Sequence, residues 1–400
     1  MNKIDYVVTS TTKYIEQMTK AQRKKYGQFF TSKETAVFMA ELFDLQSASG
    51  TVSILDPGAG SGILSTALIE RMLDVAAITK IKLVCYESDT NILELLRSNM
   101  DWVCAHASKP IEYEIVADNY ILSQMADYNH MLWESPNPPK YDYVIGNPPY
   151  MKIPKDAPEA LAMPDVCYGA PNLYFIFASM SLFNLKSDGE MVYIIPRSWT
   201  SGAYFKKFRQ KFLDEGALEH IHLFVSRDKV FEKESVLQET IIIKVKKAKN
   251  KPQNVTITTT QSNADFSQKT VFHAPYDTVV NGKDQYVYLV TNAKEVETLE
   301  RLNRLPNTLP SIGLKMKTGL TVDFRNREAL RDHAEATAVP LFYSQHIKNG
   351  KVEFPIGKEH EYLVTEQNGL LQKNSNYLFV KRFTAKEEHR RLQCGIYLAR

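Results

Sequence analysis

The stretch "TVSILDPGAGSG", residues 51–62, runs as an apolar strand into a loop with three closely spaced glycines, and "ILSTALIERML" continues it with helical spacing. A strand, a glycine turn and a helix in that order form the first half of a parallel crossover unit. Working outward, the same alternation continues. "IKLVCYESD" reads as a second strand and "TNILELLRSNM" as the helix after it, while "IEYEIVADNY" and "YDYVIGNPPY" supply two more strand ends. Beyond a proline-rich stretch, "NLYFIFASMSLFNL" has the apolar density of a buried helix and "GEMVYIIP" that of a buried strand. "AYFKKFRQKFLDEG" reads as an amphipathic helix with a glycine stop, and "HIHLFV" with "ETIIIKVKK" as a closing strand pair. The pattern predicts an α/β fold: a Rossmann-like, mostly parallel sheet with helices on both faces. The run "KKAKNKPQN", residues 246–254, is charged and broken by proline, so the expected division is 1–247 and 248–400, the second part less periodic and richer in turns.

Composition narrows the class. With 400 residues, 44% hydrophobic and 24% charged, the chain can bury a sizeable core. A formal net charge of +3 means that any nucleic-acid surface is a local patch. Cys85, Cys104, Cys167 and Cys394 show no metal-type or CxxC spacing, so no disulfide and no metal site is expected. No apolar run is long enough to span a bilayer and the N-terminal stretch lacks a signal core; a cytoplasmic protein without a membrane partner is expected.

The chemistry gathers at the strand ends, where ligands bind in open α/β sheets. The third glycine is Gly62, one position short of the dinucleotide fingerprint, and the carboxylate of Asp56 would repel a pyrophosphate but attract an ammonium or sulfonium group. Gly58 and Gly60 let a ligand approach the backbone. Glu87 closes the second strand at the distance where an acidic residue grips ribose hydroxyls, and Asp118 closes the third, placed to accept from an adenine amine. Three carboxylates around a glycine loop describe a pocket for a cationic nucleoside, and S-adenosylmethionine fits that description. At the end of the next strand, Asn147, Pro148, Pro149 and Tyr150 combine a side-chain amide, residues without backbone donors and an aromatic ring. The Asn147 oxygen and the Pro148 carbonyl suit the two protons of a flat amine on whose ring Tyr150 stacks. A plain strand stop would also use the prolines, but it gives no reason for the amide and the ring.

These motifs, in this order, resemble the gamma class of N6-adenine DNA methyltransferases of bacterial restriction-modification systems, in the Eco57I-like branch. The resemblance begins at "KKYGQFFTS", residues 24–32, where Thr31 matches a position in the family's cofactor element. It passes through DPGAGSG, Glu87, Asp118 and NPPY to "KVFEKESVLQETIII", where Phe231 sits like the aromatic that stacks on a flipped adenine. It implies that Thr31, Asp56, Gly58, Gly60, Glu87, Asp118 and Asn147 face S-adenosylmethionine, that the enzyme flips its target base, and that the partner is double-stranded DNA. A separate cognate restriction endonuclease is implied as well. The C-terminal part resembles an α+β target-recognition domain, with part of the usual domain expected to be lacking after "CGIYLAR". Lys315, Lys317, Arg325, Arg327, Lys381, Arg382, Arg390 and Arg391 become candidate phosphate or base contacts, and Tyr343 and His346 candidates to reach a groove. The polar, proline-rich residues 151–171 are expected to act as a DNA-contacting lid. The competing readings are methylation of RNA or of a protein glutamine amide, and a non-catalytic DNA-binding modification subunit. A fused nuclease is not expected, because Pro164-Asp165 lacks the downstream acidic-x-Lys strand.

Overall fold

The computed structural model describes residues 2–17, 31–129, 140–169, 171–224, 240–264, 266–383 and 388–399. The chain divides into two compact units, Met1–Arg304 and Leu305–Arg400. The first contains a nine-stranded sheet in the order β3-β2-β1-β4-β5-β7-β6-β8-β9. Its strands are β1 Gly50–Pro57, β2 Ile78–Tyr86, β3 Ile111–Val116, β4 Tyr141–Gly146, β5 Leu185–Pro196, β6 Ala217–Phe224, β7 Thr240–Lys246, β8 Asn254–Thr260 and β9 Thr270–Pro275. β3, β2, β1, β4 and β5 are mutually parallel, β7 is antiparallel to both neighbours, and β8 runs parallel to β6. The carboxyl ends of β1, β2, β4, β5, β6 and β8 therefore share one edge.

Alternation along the strands feeds two cores, one on each face. In β7, Ile241, Ile243 and Val245 enter the core built with the helices Leu173–Asn184 and Lys206–Glu215, while Ile242 enters the core built with Lys3–Gln17, Lys33–Glu41, Ile63–Leu73 and Leu93–Ala105. The helix Leu173–Asn184 is apolar nearly all round, as its sequence requires, and Asn172 caps it by accepting from the Tyr174 amide. All seven strands expected from the sequence are present.

The division at residue 247 is corrected. The charged run after β7 is a stapled turn: Lys247 Nζ donates to the Phe183 and Leu185 carbonyls at 2.8 Å each, and Lys251 Nζ donates to the Asp214 and Gly216 carbonyls at 3.1 Å each. Lysines that look solvated in sequence thus close helix and strand ends, and the chain continues into β8 and β9 of the same sheet.

In the second unit the described residues form short strands in a three-stranded and a four-stranded sheet, with 3-10 turns. Of the residues 248–400 expected to form the α+β region, the helices Tyr276–Val279 and Ala293–Asn303 belong to the first unit, and the second unit carries the strands. Inside it His346, 0% exposed, donates from Nε2 to Glu361 Oε2 at 3.2 Å, so the expectation that His346 reaches a groove is also corrected. Burial raises the Glu361 carboxyl, but the Ile356 and Gly357 amides and His346 outweigh it and hold the group below its ordinary value. Among the described residues no helix is long and apolar enough to cross a membrane, and no group of side chains could hold a metal ion.

Candidate cofactor and target-base site

The glycine loop leaves β1 at the sheet's carboxyl edge. The Gly58 and Ala59 amides both donate to the Tyr86 carbonyl, at 2.8 and 2.9 Å, which folds the loop over the end of β2. Gly58, Gly60 and Gly62 all have positive φ, at 105°, 57° and 83°. Their surroundings separate their roles. Among the described residues no atom lies within 4 Å of where a Cβ on Gly60 would point, whereas one on Gly62 would stand 2.6 Å from Met100 Cε. Gly62 therefore permits close packing of the helix Leu93–Ala105, and no described residue crowds Gly60.

Asp56, in β1, is completely buried and accepts from Ser65 Oγ through Oδ2 at 2.6 Å. Its Oδ1 is buried without a hydrogen-bond partner among the described residues. Burial is the main cause that pushes this carboxyl up to about 7; the Ser65 hydrogen bond opposes the shift and the charge of Glu87 adds to it. A buried acceptor without a donor is a costly arrangement that a cationic ligand would relieve. Glu87 is half-buried and grips the loop: Oε2 accepts from the Gly60 amide and Oε1 from the Asp89 amide, both at 2.8 Å. Burial raises its carboxyl too, against those amides. Asp118 is exposed after β3 and accepts from the Asn119 amide at 2.6 Å.

At the end of β4, Asn147 is half-buried, with Nδ2 3.2 Å from Thr31 Oγ1 and Oδ1 2.8 Å from the Tyr150 hydroxyl. The Tyr150 hydroxyl is also 2.9 Å from the Ile194 carbonyl of β5. Burial raises its ionisation well above the ordinary phenol value, so it stays a neutral donor. Pro148 is buried and Pro149 half-buried, which fixes the backbone between amide and ring. The Tyr150 ring meets Tyr174 edge-on at 6.4 Å, and the Tyr174 hydroxyl lies 3.2 Å from Ser198 Oγ in the turn after β5. The fold thus brings Thr31, 116 residues away in sequence, against the amide of the NPPY tetrad.

Other residues are placed differently. Phe231 and residues 24–30 lie outside the described residues. The segment 151–171 is not a detached lid: Ala160, Ala162, Met163 and Val166 are buried, Asp165 is held by Lys211 and Tyr128, and the Leu173 amide donates to the Met151 carbonyl at 2.9 Å. Small and apolar residues among its prolines pack it down. In the second unit Lys315, Lys317, Arg325, Arg327, Arg382, Arg390 and Arg391 are exposed, Tyr343 is half-buried, and Lys381 is half-buried in an ion pair with Glu388 at 3.0 Å.

One residue escaped the sequence reading. Asn99 is fully buried; its Nδ2 donates to the Ser61 carbonyl of the glycine loop at 2.9 Å and its Oδ1 accepts from Ser10 Oγ at 2.6 Å. It ties the N-terminal helix to the loop. Its signal was an amide on the apolar stripe of Leu96, Met100 and Val103.

Similarity to known proteins agrees with this geometry. Residues 73–231 match the family model described as Eco57I restriction-modification methylase. The type II methyltransferase M.PstI of Providencia stuartii is 35% identical over 94% of this chain and 74% of its own length. M.BsuBI of Bacillus subtilis, also a type II methyltransferase, is 32% identical over 94% of this chain and 74% of its own length. A solved structure from Listeria monocytogenes, described as a candidate class I S-adenosylmethionine-dependent methyltransferase, superposes with a TM-score of 0.47 at 19% identity, covering 60% of this chain and 68% of that one. The glycine loop with its unsatisfied carboxylate, the tetrad beside it and a likeness that runs through nearly the whole chain lead to one conclusion: the chain belongs to the type II methyltransferases of restriction-modification systems, whose methyl donor is S-adenosylmethionine.

Proposed function

We propose that this DNA methyltransferase transfers its methyl group to the N6 amine of a flipped adenine in duplex DNA. The observation that carries the reading is the amide of Asn147, fixed at the end of β4 by Thr31 and Tyr150 and followed by a rigid Pro-Pro pair. When bound, S-adenosylmethionine supplies an electrophilic methyl group on a sulfonium. The residues suited to hold it are Thr31, Asp56, Gly58, Gly60, Glu87 and Asp118, and the unsatisfied Asp56 Oδ1, with no described residue crowding Gly60, fits a cationic ligand close to the backbone.

The chain's own work is positioning. An amine inside a duplex cannot enter this edge, so the nucleotide must leave the stack, at a cost of a few kcal/mol. The Tyr150 ring offsets that cost by stacking. In this reading the Asn147 oxygen, which accepts from the Tyr150 hydroxyl at 2.8 Å, and the Pro148 carbonyl are the acceptors for the two amine protons. That draws the nitrogen lone pair out of the ring and aims it at the methyl group, so catalysis is orientation and electrostatics without a strong base. Methylation of a ring carbon would need a thiolate nucleophile, which the cysteines do not favour. Cys85 is buried and raised well above its ordinary value, and burial pushes Cys104 up to about 11 and Cys167 up to about 12. An exocyclic amine is the acceptor this chemistry suits. The segment 151–171 serves as a fixed DNA-facing wall, and the exposed basic residues of the second unit, Lys315, Lys317, Arg325 and Arg382, contact the duplex.

The test is nucleoside mass spectrometry of unmethylated DNA incubated with the protein and S-adenosylmethionine. N6-methyladenine is expected, and N4-methylcytosine in its place would move the target to the other exocyclic amine. Asn147→Ala should abolish turnover while leaving cofactor affinity within about twofold, because its amide acts on the amine; wild-type turnover in that variant would remove the tetrad from the mechanism.

A further inference from the structure

Tyr204 is 60% exposed, yet its ring packs against the backbone of Gly169. The ring lies on the backbone of Gly169, where a Cβ would stand 2.1 Å from Tyr204 Cδ1, and Gly169 has a φ of 81°. Beneath Tyr204, the turn after β5 is clamped by Arg209, which is fully buried and donates from Nη1 to the Trp199 and Gly202 carbonyls at 2.8 and 2.7 Å. Beneath Gly169, the segment is fixed by the buried Val166 and by the Ile153 amide, which donates to the Pro171 carbonyl at 3.0 Å. A scattered exposed tyrosine needs no explanation; a ring packed against a glycine between two hydrogen-bonded segments does.

Its location supplies one. The two segments leave the sheet after β4 and β5, the strands that carry the NPPY tetrad and the Ile194 carbonyl that Tyr150 meets. Ser198, in the clamped turn, touches Tyr174, which meets Tyr150. In the same segment Met151, which follows the tetrad in sequence, and Tyr168, which precedes Gly169, are 57% and 56% exposed. The charge around it favours a polyanion. Lys206 is paired with Asp284 and Asp165 with Lys211, which leaves Lys152, Lys155 and Lys207 against Asp156 and Glu159, a net charge of about +1. Lys207 also donates to the Pro164 carbonyl at 3.1 Å, which holds its ammonium beside the platform.

We propose that Tyr204, backed by Gly169, is a stacking platform for a base of the DNA strand adjacent to the flipped nucleotide. Stacking on an aromatic face is sequence-tolerant and suits a base that has lost its neighbour. The proposal rests on the DNA-methylation reading, and the experiment separates the two. Binding of a fluorescently labelled duplex and, independently, of S-adenosylmethionine is measured for the wild type, Tyr204→Ala, Tyr204→Phe and Gly169→Ala. Tyr204→Ala should weaken duplex binding about ten- to a hundredfold, the range for loss of one base-stacking contact, with cofactor affinity unchanged. Tyr204→Phe should keep wild-type binding, because the ring and not the hydroxyl does the stacking. Gly169→Ala, which drives a methyl into the ring, should behave like Tyr204→Ala. Wild-type duplex affinity in Tyr204→Ala, or a parallel loss of cofactor affinity, overturns the platform. Duplex binding with the expected variant pattern but no methylated nucleoside overturns the parent reading and leaves the platform standing; no duplex binding by the wild type overturns both.

Discussion

Asp56 offers the sharpest test of the cofactor site, because its cost is visible in the protein without ligand. Burial raises its carboxyl from the ordinary 3.8 to about 7, so the folded state holds this proton more tightly than the unfolded chain does. Its stabilising contribution is therefore fully present below the unfolded value and is lost as pH rises through the window from 3.8 to about 7. Each unit is worth about 1.4 kcal/mol, so above neutrality the carboxylate costs the fold on the order of 4 kcal/mol. Asp56→Asn keeps the shape and can still accept from Ser65, but it carries no charge. We expect the variant to exceed the wild type by up to about 4 kcal/mol at pH 8, or about 6 °C in Tm for a unit of this size. The advantage should shrink steadily on acidification and vanish near pH 4, where Asp56 is protonated in the fold. Thermal unfolding of both proteins across that range reads the difference, and comparing variants cancels every other titrating group. A difference that does not change with pH would refute the buried, ligand-awaiting carboxylate. The same variant should bind S-adenosylmethionine more weakly, since the buried charge is the one a cationic ligand would meet; a stability gain with undiminished cofactor affinity would dissociate Asp56 from the cofactor.

Two further outcomes follow from the geometry. Asn99→Ala strands the Ser61 carbonyl, while the Ser10 hydroxyl retains its bond to the Val7 carbonyl at 2.9 Å, costing about 1–3 kcal/mol of stability, and it should raise the KM for S-adenosylmethionine several-fold with kcat preserved, read by initial rates at saturating DNA. In the second unit, Glu361→Gln should lower stability at neutral pH. The Glu361 carboxyl sits below its ordinary value, so its contribution is present above the unfolded value of about 4.5 and fades as pH falls through the folded one; urea unfolding that shows an equal difference at pH 7 and pH 3 would contradict this.

What the sequence disclosed and what it concealed follow from the range of the interactions involved. The strand, glycine loop and helix at 51–73 are local, and so are the tetrad at 147–150 and the carboxylates at strand ends, because a parallel sheet places each of them by its own strand alone. β8 was hidden because "NVTITTT" carries threonine where a core strand usually carries Ile or Val, and its hydroxyls satisfy neighbours across the sheet: Thr258 and Thr260 meet both ring nitrogens of the buried His222 at 2.8 and 3.1 Å. Burial pushes that imidazole down to about 3, so it stays neutral, donating from Nε2 to Thr260, whose hydroxyl donates to the Ser262 carbonyl, and accepting from Thr258 at Nδ1. Lys247 and Lys251 misled for the opposite reason, since a lysine that seals helix and strand carbonyls is identical in sequence to one in a solvated linker. The contact of Thr31 with Asn147, the tie from Ser10 through Asn99 to the glycine loop, and the ring of Tyr204 on Gly169 share this property: each joins segments that only the finished sheet brings together. Motifs announce which atoms take part in the chemistry, while the residues that hold those atoms in place are selected by tertiary contact. For that reason Asn99 and Tyr204, which belong to no motif, are where substitutions should separate cofactor affinity from DNA affinity.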